Sequence, residues 1–266
     1  RQVRRARFMD PQQRMLLETT AVVMTESPAP LSTNSGVFVG ISMLEYSRMN
    51  VAHNGLGTFS ATSGHLSVTS GRLSYTFGMT GPSLTIDTAC SSSLVGMHVA
   101  REHIAMSPGS SESSLFCGAN LTLAREWTES CSLAGMLSSE GRCKTLDASA
   151  DGYVRAEAAL AFALHSDESG GHTIVAKASS VNQDGRSSSL TAPNGPSQQD
   201  IIRQVMARGG SLPEDAAVLQ MHGTGTALGD PIEVGAALSA FSSSAGDACI
   251  SLSSVKSNVG HAEPAA

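Results

Sequence analysis

Apolar residues along this chain come in short runs broken by glycine, proline and serine, and the runs change period as the chain proceeds. Asp10-Pro11 reads as a helix start, with Asp as N-cap and Pro in the first turn. Met15, Leu16, Thr19, Val22 and Val23 then share one face at helical spacing, and Pro28 and Pro30 end the element. Residues 36–41 (GVFVGI) form an unbroken apolar run of strand length, the pattern of a strand buried on both faces. The glycine-rich stretch 54–64 reads as a loop. Residues 66–77 return to helical spacing before Gly78 and the Gly81-Pro82 turn. Leu84 and Ile86 lie in a short, mostly apolar strand. Thr88, Ala89 and the serines after Cys90 allow a sharp reversal, and Leu94, Val95, Met97, His98 and Val99 recur at helical spacing, so strand becomes helix at Cys90. Residues 107–111 read as a loop, 114–119 (SLFCGA) as a strand, 128–136 as a short helix, 138–154 as irregular and polar, and 158–164 as a buried strand.

Residues 167–171 (DESGG) are the expected linker, and beyond them the order restarts. Strand 173–178, a long loop, helix 197–207, strand 216–221, a glycine turn, a helix from Pro231 to about Phe241 and strand 249–255 follow one another. Strands alternating with helices imply an α/β protein with mostly parallel sheets. The expected halves are 1–166, carrying the cysteine corner, and 167–266.

Composition narrows the classes. At 266 residues the chain can bury a full core, and 41% hydrophobic with 15% charged residues excludes disorder. Few aromatics (4%) and 26 glycines suit tightly packed layers with many short turns. A net charge of −6 argues against nucleic acid as the main partner, and no apolar run approaches membrane-spanning length. Five cysteines (Cys90, Cys117, Cys131, Cys143, Cys249) form no CxxC pair, so neither a zinc site nor a disulfide framework is expected. The opening RQVRRAR reads as a solvated arm at the cut end of a longer chain, with the targeting region absent; the expected compartment is the cytoplasm or an organelle stroma.

Three stretches carry candidate chemistry. A cysteine at the corner before a helix meets the positive end of the helix dipole, which favours thiolate and makes Cys90 a candidate nucleophile; the alternative is one more small buried residue. The strand ending at Met221 delivers His222-Gly223-Thr224-Gly225-Thr226, whose glycines allow a tight turn at the sheet's edge. Gly223, Gly225 and Gly229 miss the dinucleotide spacing by one residue, which argues against a nucleotide site. The following strand ends in Lys256-Ser257-Asn258-Val259-Gly260-His261. A lone histidine is usually structural. Here two of them leave the carboxyl ends of expected strands, where open α/β sheets place their sites.

Together MDPQQRMLLE (9–18), DTACSSSL (87–94), DGYVRAE (151–157), HGTGTALGDPIE (222–233) and KSNVGH (256–261) resemble the ketosynthase domain of polyketide synthases, within the thiolase-like condensing enzymes, in the family's order and over nearly the whole chain. The resemblance implies a thiolase-like layered fold of two similar α/β halves, here truncated. It implies Cys90 as nucleophile, with His222 and His261 acting on a malonyl-type extender and Lys256 orienting the site electrostatically. Thr224 and Thr226 would hydrogen-bond the phosphopantetheine arm of an acyl carrier protein, with Asn258 also touching substrate. Asp230 and Glu233 would support the network around Lys256. No metal or bound cofactor is implied; the expected partners are the carrier protein and a second copy of the chain, paired through the strand at 83–88.

The family usually has Gly-Glu-Gly where this chain has Ala156-Glu157-Ala158. The resemblance also implies further strands beyond Ala266 and an opening strand and helix before Met9, so the 266 residues alone are expected to form an incomplete, inactive core. A fatty acid ketosynthase shares the chemistry. A cysteine hydrolase would need only one histidine, and a non-catalytic partner protein would be expected to lack Cys90.

Overall fold

The computed structural model describes residues 8–42, 45–106, 113–166, 174–242 and 250–266. The basic arm at 1–7, the loop at 107–111, the linker at 167–171 and Cys249 lie outside the described residues. The chain divides into two compact units. One comprises 1–128, 156–171 and 262–266; the other comprises 129–155 and 172–261.

The first unit is built on a four-stranded sheet in the order β2-β1-β3-β4, with β1 at Gly36–Gly40, β2 at Ser83–Ile86, β3 at Ser113–Asn120 and β4 at Ala158–His165. β1 runs parallel to β2 and β3, and β4 closes the sheet antiparallel to β3. Successive side chains of a strand point to opposite faces. Val37, Val39, Leu115, Cys117 and Ala119 accordingly join a core with Leu16 of helix α1 (Pro11–Glu26). Phe38 and Phe116 face the other way, against Ala100. Helices therefore cover both faces of β1 and β3, which is why these strands read as unbroken apolar runs. β4 is only half-buried, and Phe162 is exposed while stacking on Phe116 at 4.9 Å. Ala158 begins β4 opposite Asn120, so the second of the alanines that replace the expected glycines packs at a strand start.

Asp10 caps α1 as the sequence predicts, its carboxylate accepting the Gln12 N–H at 2.8 Å, but the inward face differs. Gln12, Gln13, Leu16 and Thr20 are buried, while Met15 and Val22 are exposed. The glutamines are tolerated inside because they are bonded: Gln12 Oε1 accepts the Leu121 N–H, and Gln13 Oε1 accepts Arg72 Nε–H at 2.7 Å. Helices α2 (Glu45–Asn54) and α3 (Ser60–Ser63) occupy ground partly read as loop. Helix α4 (Leu66–Phe77) has the predicted bounds and ends on Gly78 at φ 72°. Helix α5 (Ser92–Met106) follows the Cys90 corner. Its first turn lies so close to β1 that a Cβ on Gly40 would stand 2.6 Å from Ser92 C and Ser93 N.

Helix α6 (Arg125–Leu133) begins three residues earlier than the predicted 128–136. The second unit holds the parallel pair β5 (Val218–Gln220) and β6 (Ser251–Ser253), both shorter than predicted, with helices α7 (Gly195–Gly209) and α8 (Gly229–Phe241). Arg203 of α7 donates to the Ser239 carbonyl of α8 at 3.1 Å. The expected strand at 173–178 is not found: residues 174–178 have no regular structure. Ile174 is 91% exposed, so its apolar pattern reports no buried face here. Lys256–Val259, read as loop, is a one-turn helix, α9. Among the described residues no helix is long and apolar enough to cross a membrane.

Replacing Gly40 with Ala should cost about 1–3 kcal/mol, because a strand and a helix backbone must separate. Gly71→Ala, inside α4 with nothing within 4 Å of the added methyl, should instead gain about 0.5–1 kcal/mol. Urea-unfolding midpoints of the two variants check both signs.

Candidate active site

Two corners carry the candidate residues, one in each unit. In the first, Asp87 shapes the approach to Cys90: its carboxylate accepts the Ala89 N–H at 3.1 Å and the Ser42 hydroxyl at 2.7 Å. The Thr88 N–H donates to Ser92 Oγ, and the Ser92 hydroxyl donates to the Ala89 carbonyl. These bonds hold Ala89 at φ 53°, a left-handed conformation costing a non-glycine residue about 1–2 kcal/mol. Cys90 is partly exposed at the tip, whereas Cys117, Cys131 and Cys143 are buried. Burial pushes the Cys117 thiol up to about 12, so Cys117 is a core residue and no nucleophile. Of the described cysteines, Cys90 alone keeps open surface.

In the second unit β5 delivers His222 as predicted, and the loop after it is fixed by two carboxylates from the start of α8. Glu233 accepts the N–H groups of His222 (2.6 Å) and Gly223 (2.9 Å). Asp230 takes those of Gly225 (3.1 Å) and Thr226 (3.2 Å) on one oxygen and that of Leu146 (3.0 Å) on the other. Gly223 and Gly225 sit at φ 46° and 80°, and a Cβ on Gly225 would meet Lys144 N at 2.5 Å. Both the backbone conformation and the space demand glycine there. Thr224 is buried, and Thr226 Oγ1 accepts the Gly229 N–H at 3.2 Å, which leaves its own hydroxyl hydrogen for another partner. Beside Thr226, Leu146, Pro231, Val234 and Leu252 line an apolar cleft of about 730 Å³.

His261 follows α9 and Gly260. Its ring meets His222 edge-on, with centroids 5.3 Å apart and planes at 88°, and meets Tyr153 in the same manner at 5.1 Å. His261 is 1% exposed, and among the described residues neither ring nitrogen has a hydrogen-bond partner. Burial first, then His222 and the Lys256 charge, depress its pKa to about 3. His222 is lowered to about 4, by desolvation first and then by Lys256, with Asp230 opposing. Lys256 is buried. Asn258 is exposed in a polar cleft with Gln220, Ser253 and Ser257.

Sequence periodicity missed the segment that ties these pieces together. Residues 138–154, read as irregular, contact both histidine-bearing loops. Thr145 donates its hydroxyl to the Gly223 carbonyl at 2.6 Å, and the Gly152 N–H donates to the Gly225 carbonyl at 3.0 Å. The Val154 carbonyl accepts the His261 N–H at 2.9 Å. Lys144 pins the segment to itself through Glu140 (3.1 Å) and Asp151 (3.0 Å). The signal for it is the motif around Tyr153; its bonds to the two loops join positions far apart in the chain, often with a backbone group on one or both sides, and leave no periodic pattern.

The depressed histidines set a pH dependence. An unfolded histidine takes up its proton near 6.5, whereas folded His261 resists protonation until about pH 3, so the unfolded state binds more protons between those values and stability falls as pH drops through this window. His261→Gln should flatten that part of the decline, measured as urea midpoints from pH 7 to 4 at constant ionic strength. Above pH 7 the slopes of the two proteins should coincide.

Known proteins resemble this chain in sequence and in fold. The family model "Beta-ketoacyl synthase, N-terminal domain" matches residues 1–169, and "Beta-ketoacyl synthase, C-terminal domain" matches 173–266. The chain is 41% identical over 276 residues to a phenolphthiocerol/phthiocerol polyketide synthase of Mycobacterium tuberculosis, covering 99% of this chain and 12% of that protein. It is 40% identical to the erythronolide synthase EryA2 of Saccharopolyspora erythraea, again over 99% of this chain but 8% of that protein. Among solved structures, the oxazolomycin ketosynthase domain of Streptomyces albus JA3453 superposes with a TM-score of 0.88 at 33% identity, covering 98% of this chain and 47% of that one. A ketosynthase from module 6 of the bacillaene synthase of Bacillus subtilis 168 gives 0.82 at 33% identity, covering 97% and 46%. The chain thus spans a small part of these bacterial synthases and about half of the solved ketosynthase chains; the relatives named lend nothing to an organelle stroma.

Proposed function

This chain belongs to the beta-ketoacyl synthase family of condensing enzymes, with the mixed α/β, thiolase-like fold of polyketide-synthase ketosynthases, and on that premise we propose that it carries out the decarboxylative condensation of polyketide assembly, an acyltransferase reaction. Cys90 is its nucleophile. The thiolate attacks the thioester of an acyl chain borne on the phosphopantetheine of an acyl carrier protein, and the carrier's thiol leaves with a proton. A malonyl-type extender on a carrier then loses its carboxylate as CO₂. The electron pair of that bond moves into the thioester carbonyl, whose oxygen becomes an enolate. His222 and His261, both neutral, each donate one N–H to that oxygen. The enolate carbon attacks the acyl-Cys90 carbonyl, the Cys90 thiolate departs, and the lengthened β-ketoacyl chain stays on the carrier.

The observation that supports this reading most directly is the His261 ring: enclosed, neutral, perpendicular to a second neutral imidazole, and without a partner for either nitrogen among the described residues. Buried polar atoms left unpaired carry a cost of about 1–3 kcal/mol, which a ligand oxygen would relieve. Lys256 acts at a distance, its charge helping to keep both rings unprotonated. Thr224 and Thr226 hold the pantetheine arm, with Asn258 a further contact. Asp230 and Glu233 act by fixing the loop's backbone. The family's pairing mode extends to this chain in the same proposal: β2 is the edge strand of its sheet with Leu84 48% exposed, which suits addition of β2 from a second copy.

Intact-mass analysis after incubation with an acyl thioester should show one acyl adduct, absent in Cys90→Ala; an adduct surviving that change would put the nucleophile on another thiol. His222→Ala and His261→Ala should spare acylation while lowering decarboxylation by about 10²–10³-fold. Equal loss of both steps would overturn the assigned roles. For the pairing, Leu84→Lys should convert a dimeric mass to a monomeric one by light scattering.

A further inference from the structure

Cys143 is buried and unused by the chemistry above, yet it touches the backbone that positions His261. Its sulfur accepts the Val154 N–H at 3.4 Å, and its thiol lies 3.9 Å from the Val154 carbonyl oxygen as a donor. That carbonyl accepts the His261 N–H at 2.9 Å, in an isolated parallel bridge between Arg155 and His261. Tyr153, the residue before Val154, meets the His261 ring edge-on. The cysteine's own neighbours are equally fixed, because Gly225 of the threonine loop lies against the backbone of Cys143 and Lys144.

We propose that Cys143 is a positioning residue for His261: its sulfur holds both polar groups of Val154, and through Val154 it sets where the His261 backbone and ring stand. This rests on the reading of His261 as a group that acts on the extender. Sulfur suits the task. Its long acceptor distance spans a gap that a hydroxyl bridges less fully. A ring displaced by about 1 Å can cost on the order of 10²-fold in rate, so a residue that never meets substrate can still control the step.

The test compares Cys143→Ala, which removes the contact, with Cys143→Ser, which keeps a donor and acceptor, in the full-length protein. Two readouts are taken: decarboxylation of a malonyl thioester with its kcat and KM, and the rates at which diethyl pyrocarbonate modifies His222 and His261, resolved by peptide mass mapping. In Cys143→Ala the decarboxylation kcat should fall about 10- to 100-fold with KM and Cys90 acylation unchanged. His261 should be modified faster while His222 keeps its wild-type rate, and Cys143→Ser should recover most of both effects. A general loosening would speed both histidines together and would overturn the proposal, as would an unchanged His261 rate in Cys143→Ala. If the unaltered protein shows no decarboxylation, the condensation reading fails by itself, and the two labelling rates still decide whether Cys143 positions His261.

Discussion

The second unit depends on backbone N–H groups being captured by carboxylates. The loop from His222 to Thr226 makes no regular structure, so its donors would be orphaned if nothing replaced a sheet or helix partner. Glu233 takes two of them and Asp230 two more, plus that of Leu146 from a different segment. Charge-assisted bonds of this kind are roughly twice as strong as neutral ones. Asp230 sits in the first turn of α8, where the helix dipole also favours a negative charge. The histidine and threonines owe their places to that capture.

A comparable economy governs the first unit. Alternating burial along β1 and β3 fills both faces of the sheet, and a glycine at position 40 lets the start of α5 press against the strand. The Cys90 corner is thereby tied to the fully buried strand β1. Its strain is confined to Ala89 and held by Asp87, Ser91 and Ser92 through short local bonds. A sulfur presented this way is displayed by the fold, while the other described thiols are absorbed into packing.

Much of this was legible in the residues, for physical reasons. Leu66–Phe77 and 36–41 carry strong periodic or unbroken apolar patterns that packing then obeys. The five motifs located His222, Lys256 and His261 because glycine and small residues at fixed offsets announce tight turns at strand ends. Three things stayed hidden. The inner face of α1 is lined by glutamines, and a rule that sends polar residues outward turns the helix the wrong way. The 174–178 segment has strand-like composition without a buried face. The most consequential miss was 138–154, whose order comes from hydrogen bonds to two other loops and leaves no periodic trace.

The antiparallel union of β3 with β4 has a consequence of its own. Asn120 and Ala158 stand opposite each other in register, so the excursion 121–157 departs from and returns to one spot on the sheet. A detour whose two ends are clamped together can grow or shrink at its exposed turns with little entropic penalty and without shifting any strand. A change of length around 146–150 would thus be mechanically uncoupled from the sheet's alignment. It is free to remodel the neighbourhood of the threonine loop while the platform beneath Cys90 stays fixed.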